Sequence, residues 1–201
     1  LVHTIWSNCT RTTAEPYGGE PYDIEAMYFD DDKYYAYFAI VASDFPTPYY
    51  HMGDLYIEVN GVSYGIVLTD HGSFKKGQVY KNPTWKASSC ICENDKTYIT
   101  GGTLIGNATV ACKDSGIKDF DYNSSKCTNL IIEVKVRKTL IGWPNNCTKG
   151  SVYYAVNCGN DHIENEVHFD YPTIPEFLTL LVPVGMILGL GLVLYFRKEN
   201  H

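Results

Sequence analysis

One stretch near the C-terminus limits what this chain can become. From Phe177 to Phe196 it reads FLTLLVPVGMILGLGLVLYF, twenty residues without a charged side chain. At helical rise that length spans a bilayer core of about 30 Å. Arg197 and Lys198 follow at once, and the bias of basic residues towards the cytoplasmic side places the C-terminus inside. Tyr195 and Phe196 sit where an interfacial aromatic belt forms. The expectation is a single-pass protein at the cell surface, N-terminus outside and C-terminus cytoplasmic. Residues 1–169 form an extracellular domain, 170–176 a Pro-containing stalk, 177–196 the transmembrane helix and 197–201 a short basic tail. Gly185 and Gly189 make a GxxxG spacing that lets two helices approach, although glycine is common in such helices, and Pro183 is either a kink or simply tolerated. The chain starts at Leu1, and removal of a secretory leader ahead of it is what an external domain implies.

Charge and cysteine usage agree with an outside location. The 201 residues carry a formal charge of -7, and with Arg197, Lys198 and Glu199 set aside, 14 basic side chains face 22 acidic ones. Such a surface repels a phosphate backbone, so nucleic acid is excluded as a partner. Four N-x-[ST] sequons begin at Asn8, Asn107, Asn123 and Asn146, which predicts N-linked glycans; Asn82 is followed by Pro83 and does not qualify. Cys9, Cys90, Cys92, Cys112, Cys127, Cys147 and Cys158 read as disulfide candidates in an oxidising compartment, with none in the apolar segment. Seven is odd, so at least one thiol is left over or bonded to another chain. Choosing it and pairing the rest leaves about 105 connectivities. Cys90 and Cys92 lack a second pair at zinc spacing.

Along the external part the period is two. Ile24–Phe29 leads through Asp30, Asp31 and Asp32 into Lys33–Val41, and Leu55–Val59 meets Val62–Val67 across Asn60-Gly61, a strong two-residue hairpin signal. Further strands are expected at Gln78–Tyr80, Thr97–Ile99, Ala108–Ala111, Asn129–Val136, Val152–Val156 and Ile163–Phe169. Turn signals recur at roughly ten-residue intervals and no soluble amphipathic helix stands out. The fold class is therefore all-β: an antiparallel β-sandwich, jelly-roll or Ig-like, plus one C-terminal transmembrane helix. No internal repeat is evident.

The runs Tyr22–Asp30, Tyr37–Val41 and Gly53–Ile57, with Cys158–Asp161 near the end of the domain, resemble a family of exported β-sandwich domains on bacterial and archaeal surfaces. Pro175-Glu176-Phe177, followed by an apolar helix and a basic end, resembles the archaeal PEF-CTERM sorting signal. The resemblance covers most of residues 20–70 and 150–198 and leaves 85–150 without a counterpart. It implies an archaeal envelope protein, handled by an archaeosortase-type processing enzyme, cut near Glu176 and re-anchored. It implies little chemistry, since most such proteins have no established activity.

Candidate chemistry competes with plainer readings. Gly61-Val62-Ser63-Tyr64-Gly65 matches the G-x-S-x-G elbow, but that motif needs a strand–turn–helix setting, whereas Ser63 continues a strand. His51, His71 and His168 have no nucleophile at a telling spacing and read as surface histidines. Asp119–Ser125 imitates the start of a calcium loop, yet lacks the glycine and has Leu130 where a bidentate glutamate belongs. Asp23 and Glu25 fall on one strand face by alternation, and with Asp54 they form a candidate Ca²⁺ site of hard oxygen ligands, against a plainer role in edge-strand solubility. A pair of carboxylates also invites a glycosidase reading, but sequence cannot supply the required gap. The 17 tyrosines with Trp6, Trp85 and Trp143 could stack on sugars, although cross-strand packing accounts for most. Tyr34, Tyr35, Tyr49 and Tyr50, occurring in pairs, are the leading candidates for an aromatic contact surface.

The function these weights favour is a non-enzymatic structural protein of an archaeal envelope. It would assemble with itself or with other envelope proteins into a lattice or filament through strand edges, aromatics and an intermolecular disulfide, with residues 1–10 as an extending arm. The alternative is a membrane-tethered module that binds carbohydrate or calcium.

Overall fold

The computed structural model describes residues 23–43, 52–87, 96–120, 126–159 and 161–171, with backbone alone at 116–120 and 126–128. All of them belong to one compact unit, Leu1–Tyr171; a second unit, Pro172–His201, lies outside the described residues. The expected membrane span, the Pro175–Phe177 motif, residues 1–10, Tyr49 and Tyr50 therefore also lie outside them. Among the described residues no helix is long and apolar enough to cross a membrane.

The described residues are all-β, with two antiparallel sheets arranged as in a β-sandwich. The strands are β1 (Ile24–Asp31), β2 (Tyr35–Ser43), β3 (Leu55–Val59), β4 (Val62–Ile66), β5 (Gln78–Ala87), β6 (Lys96–Asn107), β7 (Thr109–Phe120), β8 (Lys126–Arg137), β9 (Thr148–Ala155) and β10 (His162–Phe169). Four form one sheet in the order β1-β2-β8-β7, and six form the other in the order β10-β9-β3-β4-β5-β6. A 3-10 turn, Lys138–Ile141, carries the chain from β8 towards β9.

Alternation explains which face is inside. In β2, Ala36, Phe38, Ile40 and Ala42 are buried while the residues between them are half-buried; in β8, Ile132, Val134 and Val136 are buried and Glu133, Lys135 and Arg137 exposed. Those side chains share one core with Leu55, Ile57, Ile66, Val152, Tyr154, Ile163 and Phe169 of the six-stranded sheet. Each aliphatic side chain wholly removed from water contributes about 1.5–3 kcal/mol. At one end Phe29 bridges the layers, its ring 5.3 Å from Phe38 and 5.0 Å, edge-on, from Phe169.

The Asn60-Gly61 hairpin forms as expected: Val59 pairs with Val62, and both turn residues have positive φ, 53° and 73°. Strands β5, β6 and β7 run well beyond their expected ends. Pro83 does not stop β5, because a register shift between Lys81 and Thr84 places it in a bulge, with Asn82 at φ 47°. Gly101 and Gly102 continue β6, and only Ala108 separates it from β7, so the chain passes from one sheet to the other almost without a loop.

Candidate functional site

The outer face of the four-stranded sheet gathers more chemistry than any single segment shows. Cross-strand register lays out two rows. Tyr28, Ala39, Glu133 and Ala111 form one, and Asp30, Tyr37, Lys135 and Thr109 the next. Rings and charges from β1, β2 and β8 thus stand beside small residues of β2 and of the edge strand β7, lining an open groove of about 330 Å³. Its phenols lie beside a carboxylate and an ammonium, which suits a ligand with both C–H faces and hydroxyl groups.

The rings in this region are held rather than loose. The Tyr37 hydroxyl donates to Asp32 Oδ2 at 2.7 Å, and Asp32 Oδ1 accepts the backbone N–H groups of Tyr34 and Tyr35, each at 2.7 Å. That hydrogen bond, with some desolvation, pushes the Tyr37 phenol up to about 12. Desolvation pushes the Asp32 carboxyl up, but the Tyr37 hydroxyl, the two amides and Lys135 outweigh it and hold the carboxyl below its ordinary value. Lys135 Nζ lies 4.1 Å from the Tyr35 ring centroid and 5.6 Å from that of Tyr37, while Arg137 Cζ is 5.5 Å from Tyr35. Cation–π contacts at exposed sites stabilise by about 0.5–1 kcal/mol each.

Two other concavities differ in kind. On the outer face of the six-stranded sheet, Glu58, Ser151 and Glu166 share one row beside Lys149, Glu164 and Asn165, in an open and strongly polar trough of about 740 Å³. Next to it the Tyr56 ring packs edge-on against Trp85 at 5.9 Å, with Lys96 Nζ 4.5 Å above it. Burial first, then a 2.6 Å hydrogen bond to Glu58, pushes the Tyr56 phenol well above its ordinary range. The second concavity, of about 450 Å³, is lined by Met52, His71, Phe74, Tyr98 and Asn157 among others.

His71 and Asp54 depart from their expected roles. Asp54 is fully buried: Oδ1 accepts the Leu68 N–H at 3.0 Å, and Oδ2 accepts the Ile99 N–H at 2.9 Å and meets His71 Nε2 at 2.8 Å. A buried carboxylate needs such partners, and these tie the lead-in of β3 to the exit of β4 and to β6. His71 is therefore no free surface histidine; its ring stacks on Phe74 at 5.2 Å.

The other expected calcium ligands are arranged differently from a simple strand face. Asp23 precedes β1, its carbonyl accepting the Ser43 N–H at 2.9 Å, and the register shifts between Ile24 and Ala26. That shift falls at Glu25, which like Asp23 is half-buried. Among the described residues no three His, Cys, Asp or Glu side chains gather as a metal group, so Asp23, Glu25 and Asp54 do not form one.

The remaining candidates scatter. Tyr34 is exposed and Tyr35 half-buried beside Lys135. His168 Nε2 is 3.0 Å from Glu166 on an open surface, Trp143 is half-exposed, and Ser63 lies within strand β4. Asn107 and Asn146 are exposed, as glycan attachment requires; Asn8 and Asn123 lie outside the described residues. Cys112 Sγ lies 3.9 Å from Met52 Sδ, Cys147 is an exposed thiol and Cys158 is buried, while Cys9, Cys90 and Cys92 and the Cys127 side chain are not among the described parts.

Sequence reasoning missed Tyr28, Tyr37, Glu133, Lys135 and the pairing of Asp54 with His71. The alternation of Glu133 and Lys135 with buried aliphatics was a usable signal for an exposed row. Nothing local identifies the neighbours of that row.

No family model, curated protein or solved structure matches this chain.

Proposed function

We propose that the protein is a non-enzymatic, surface-displayed binding module that takes a carbohydrate chain across the outer face of the four-stranded sheet. The observation that carries this reading is the groove in which Tyr28 and Tyr37 stand beside Ala39, with Glu133 and Lys135 next in the same rows and Ala111 and Thr109 beyond them on the edge strand. Sugar rings offer C–H faces to aromatic rings and hydroxyls to charged groups, so one pyranose can use both walls. The wider setting belongs to the same proposal. It comprises a jelly-roll or Ig-like ectodomain, N-glycans at the sequons, disulfides, a membrane helix over 177–196 and sorting through the Pro175-Glu176-Phe177 signal in an archaeal envelope.

The test is titration of a panel of neutral and acidic oligosaccharides into the full chain held in detergent. Tyr28→Ala and Lys135→Ala each weaken saturable binding about tenfold, equal to about 1.4 kcal/mol, without changing the unfolding midpoint by more than a few degrees. Binding unchanged by both substitutions counts against the groove.

A second reading, self-assembly, has its own support. Strands β6 and β7, twelve residues each, end the strand order of their sheets among the described residues, and strand edges are templates for pairing. Electrophoresis of the envelope fraction with and without reductant separates a disulfide-linked ladder, for which Cys147 is an exposed candidate, from a monomer.

A further inference from the structure

At the end of the core marked by Phe29 and Phe169, a lysine and an aspartate from distant parts of the chain meet out of water. Lys138 Nζ contacts Asp31 Oδ2 directly, across 107 positions of sequence, and the two side chains are 1% and 4% exposed. Lys138 is fixed at its backbone, where its N–H donates to the Tyr34 carbonyl at 2.9 Å and its carbonyl accepts the Trp143 N–H at 2.7 Å. Its Nζ lies 5.7 Å from the Phe169 ring centroid and 5.9 Å from that of Tyr171. The Asp31 carboxyl is gripped from its other side, because Oδ1 accepts the Asp170 N–H at 3.1 Å and Oδ2 accepts the Tyr171 N–H at a longer 3.4 Å.

The geometry points to a self-formed amide bond between Lys138 Nζ and Asp31 Cγ. An ammonium and a carboxylate are both costly to desolvate. Proton transfer within the contact leaves a neutral amine against a neutral acid. The amine lone pair attacks Cγ, and the Asp170 N–H stands where the developing oxyanion on Oδ1 needs a donor. The nitrogen gives up a proton to the departing Oδ2 hydroxyl, the Cγ–Oδ2 bond breaks, and one water leaves. The sum is ammonium plus carboxylate to amide plus water, with no oxidant, reductant or co-reactant. Fixed partners in contact behave as if present at an effective concentration of about 10⁵ M or more, and the burial of both side chains limits the water that reaches the step. The bond would join the end of β1 to the 3-10 turn after β8, beside the exit of β10. It does not depend on the carbohydrate reading.

The experiment is tryptic peptide mapping of the full chain, denatured and reduced, by mass spectrometry. The expected result is a branched peptide containing both Asp31 and Lys138, lighter by one water than its linear parts, with no cleavage after Lys138. It disappears in Lys138→Arg and in Asp31→Ala. Recovery of the wild-type Asp31 and Lys138 peptides only in linear form, with cleavage after Lys138, overturns the inference. So does a branched peptide that survives Lys138→Arg. The wild-type readout decides the matter even if a variant fails to fold.

Discussion

Asp54 shows how much one side chain can organise. Its two oxygens receive the Leu68 and Ile99 amides and the His71 ring, so Asp54→Ala leaves two buried N–H groups without that acceptor. A loss of about 3 kcal/mol is expected, read as a lower denaturant midpoint. Tyr37 provides a test with a pH sign. Its hydroxyl ionises at about 12 when hydrogen-bonded to Asp32, and at about 10 in an unfolded chain. The folded state holds that proton more tightly, so the contribution is complete below about pH 10 and is lost as pH rises through about 12. Tyr37→Phe therefore flattens the fall in stability over that window, measurable by denaturation at stepped alkaline pH. Asp32 has the opposite sign: its lowered value gives a contribution that is lost as pH falls below the ordinary carboxylate range. In sequence Asp32 and Tyr37 look like a turn residue and a strand residue; their hydrogen bond depends on how β1 meets β2.

Among the elements, local chemistry and long-range packing separate cleanly at two glycines. Gly61 is legible, because Asn-Gly between alternating runs predicts the two-residue turn, and an added Cβ there meets nothing within 4 Å. Gly61→Ala should cost only about 1 kcal/mol, for the left-handed backbone at φ 73°. Gly53 has no local signature. A Cβ at Gly53 would stand 1.9 Å from the Ala155 carbonyl oxygen and 2.6 Å from that of Thr97, both of them backbone atoms. Gly53→Ala should cost about 3 kcal/mol or more, a difference between the two variants that thermal unfolding resolves. The same division explains the strand ends. The core of β3 and β4 follows from composition, whereas the continuation of β5 through Pro83 and of β6 through Gly101 and Gly102 depends on bulges that only their pairing fixes.

For the whole domain, period-two alternation was enough to give two layers around one core, because burial of every second side chain is a local property repeated along the chain. The site was less legible. Tyr28, Ala39, Glu133 and Ala111 lie far apart in sequence, and only the β1-β2-β8-β7 order brings them into one row. Asp54, one of the expected calcium ligands, is likewise placed by distant pairing, its oxygens taken by the Leu68 and Ile99 amides and the His71 ring. The most direct test of a carbohydrate-binding face is to fill the groove without touching its walls. Ala111 is exposed on the edge strand β7 and lines the groove, so Ala111→Trp should leave the fold intact while blocking the ligand. Isothermal titration of the full chain with the tightest-binding oligosaccharide of the panel should show saturable binding that falls by about tenfold or more in this variant, about 1.4 kcal/mol. Equal binding by wild type and Ala111→Trp, or no saturable binding by wild type to any member of the panel, would contradict the account.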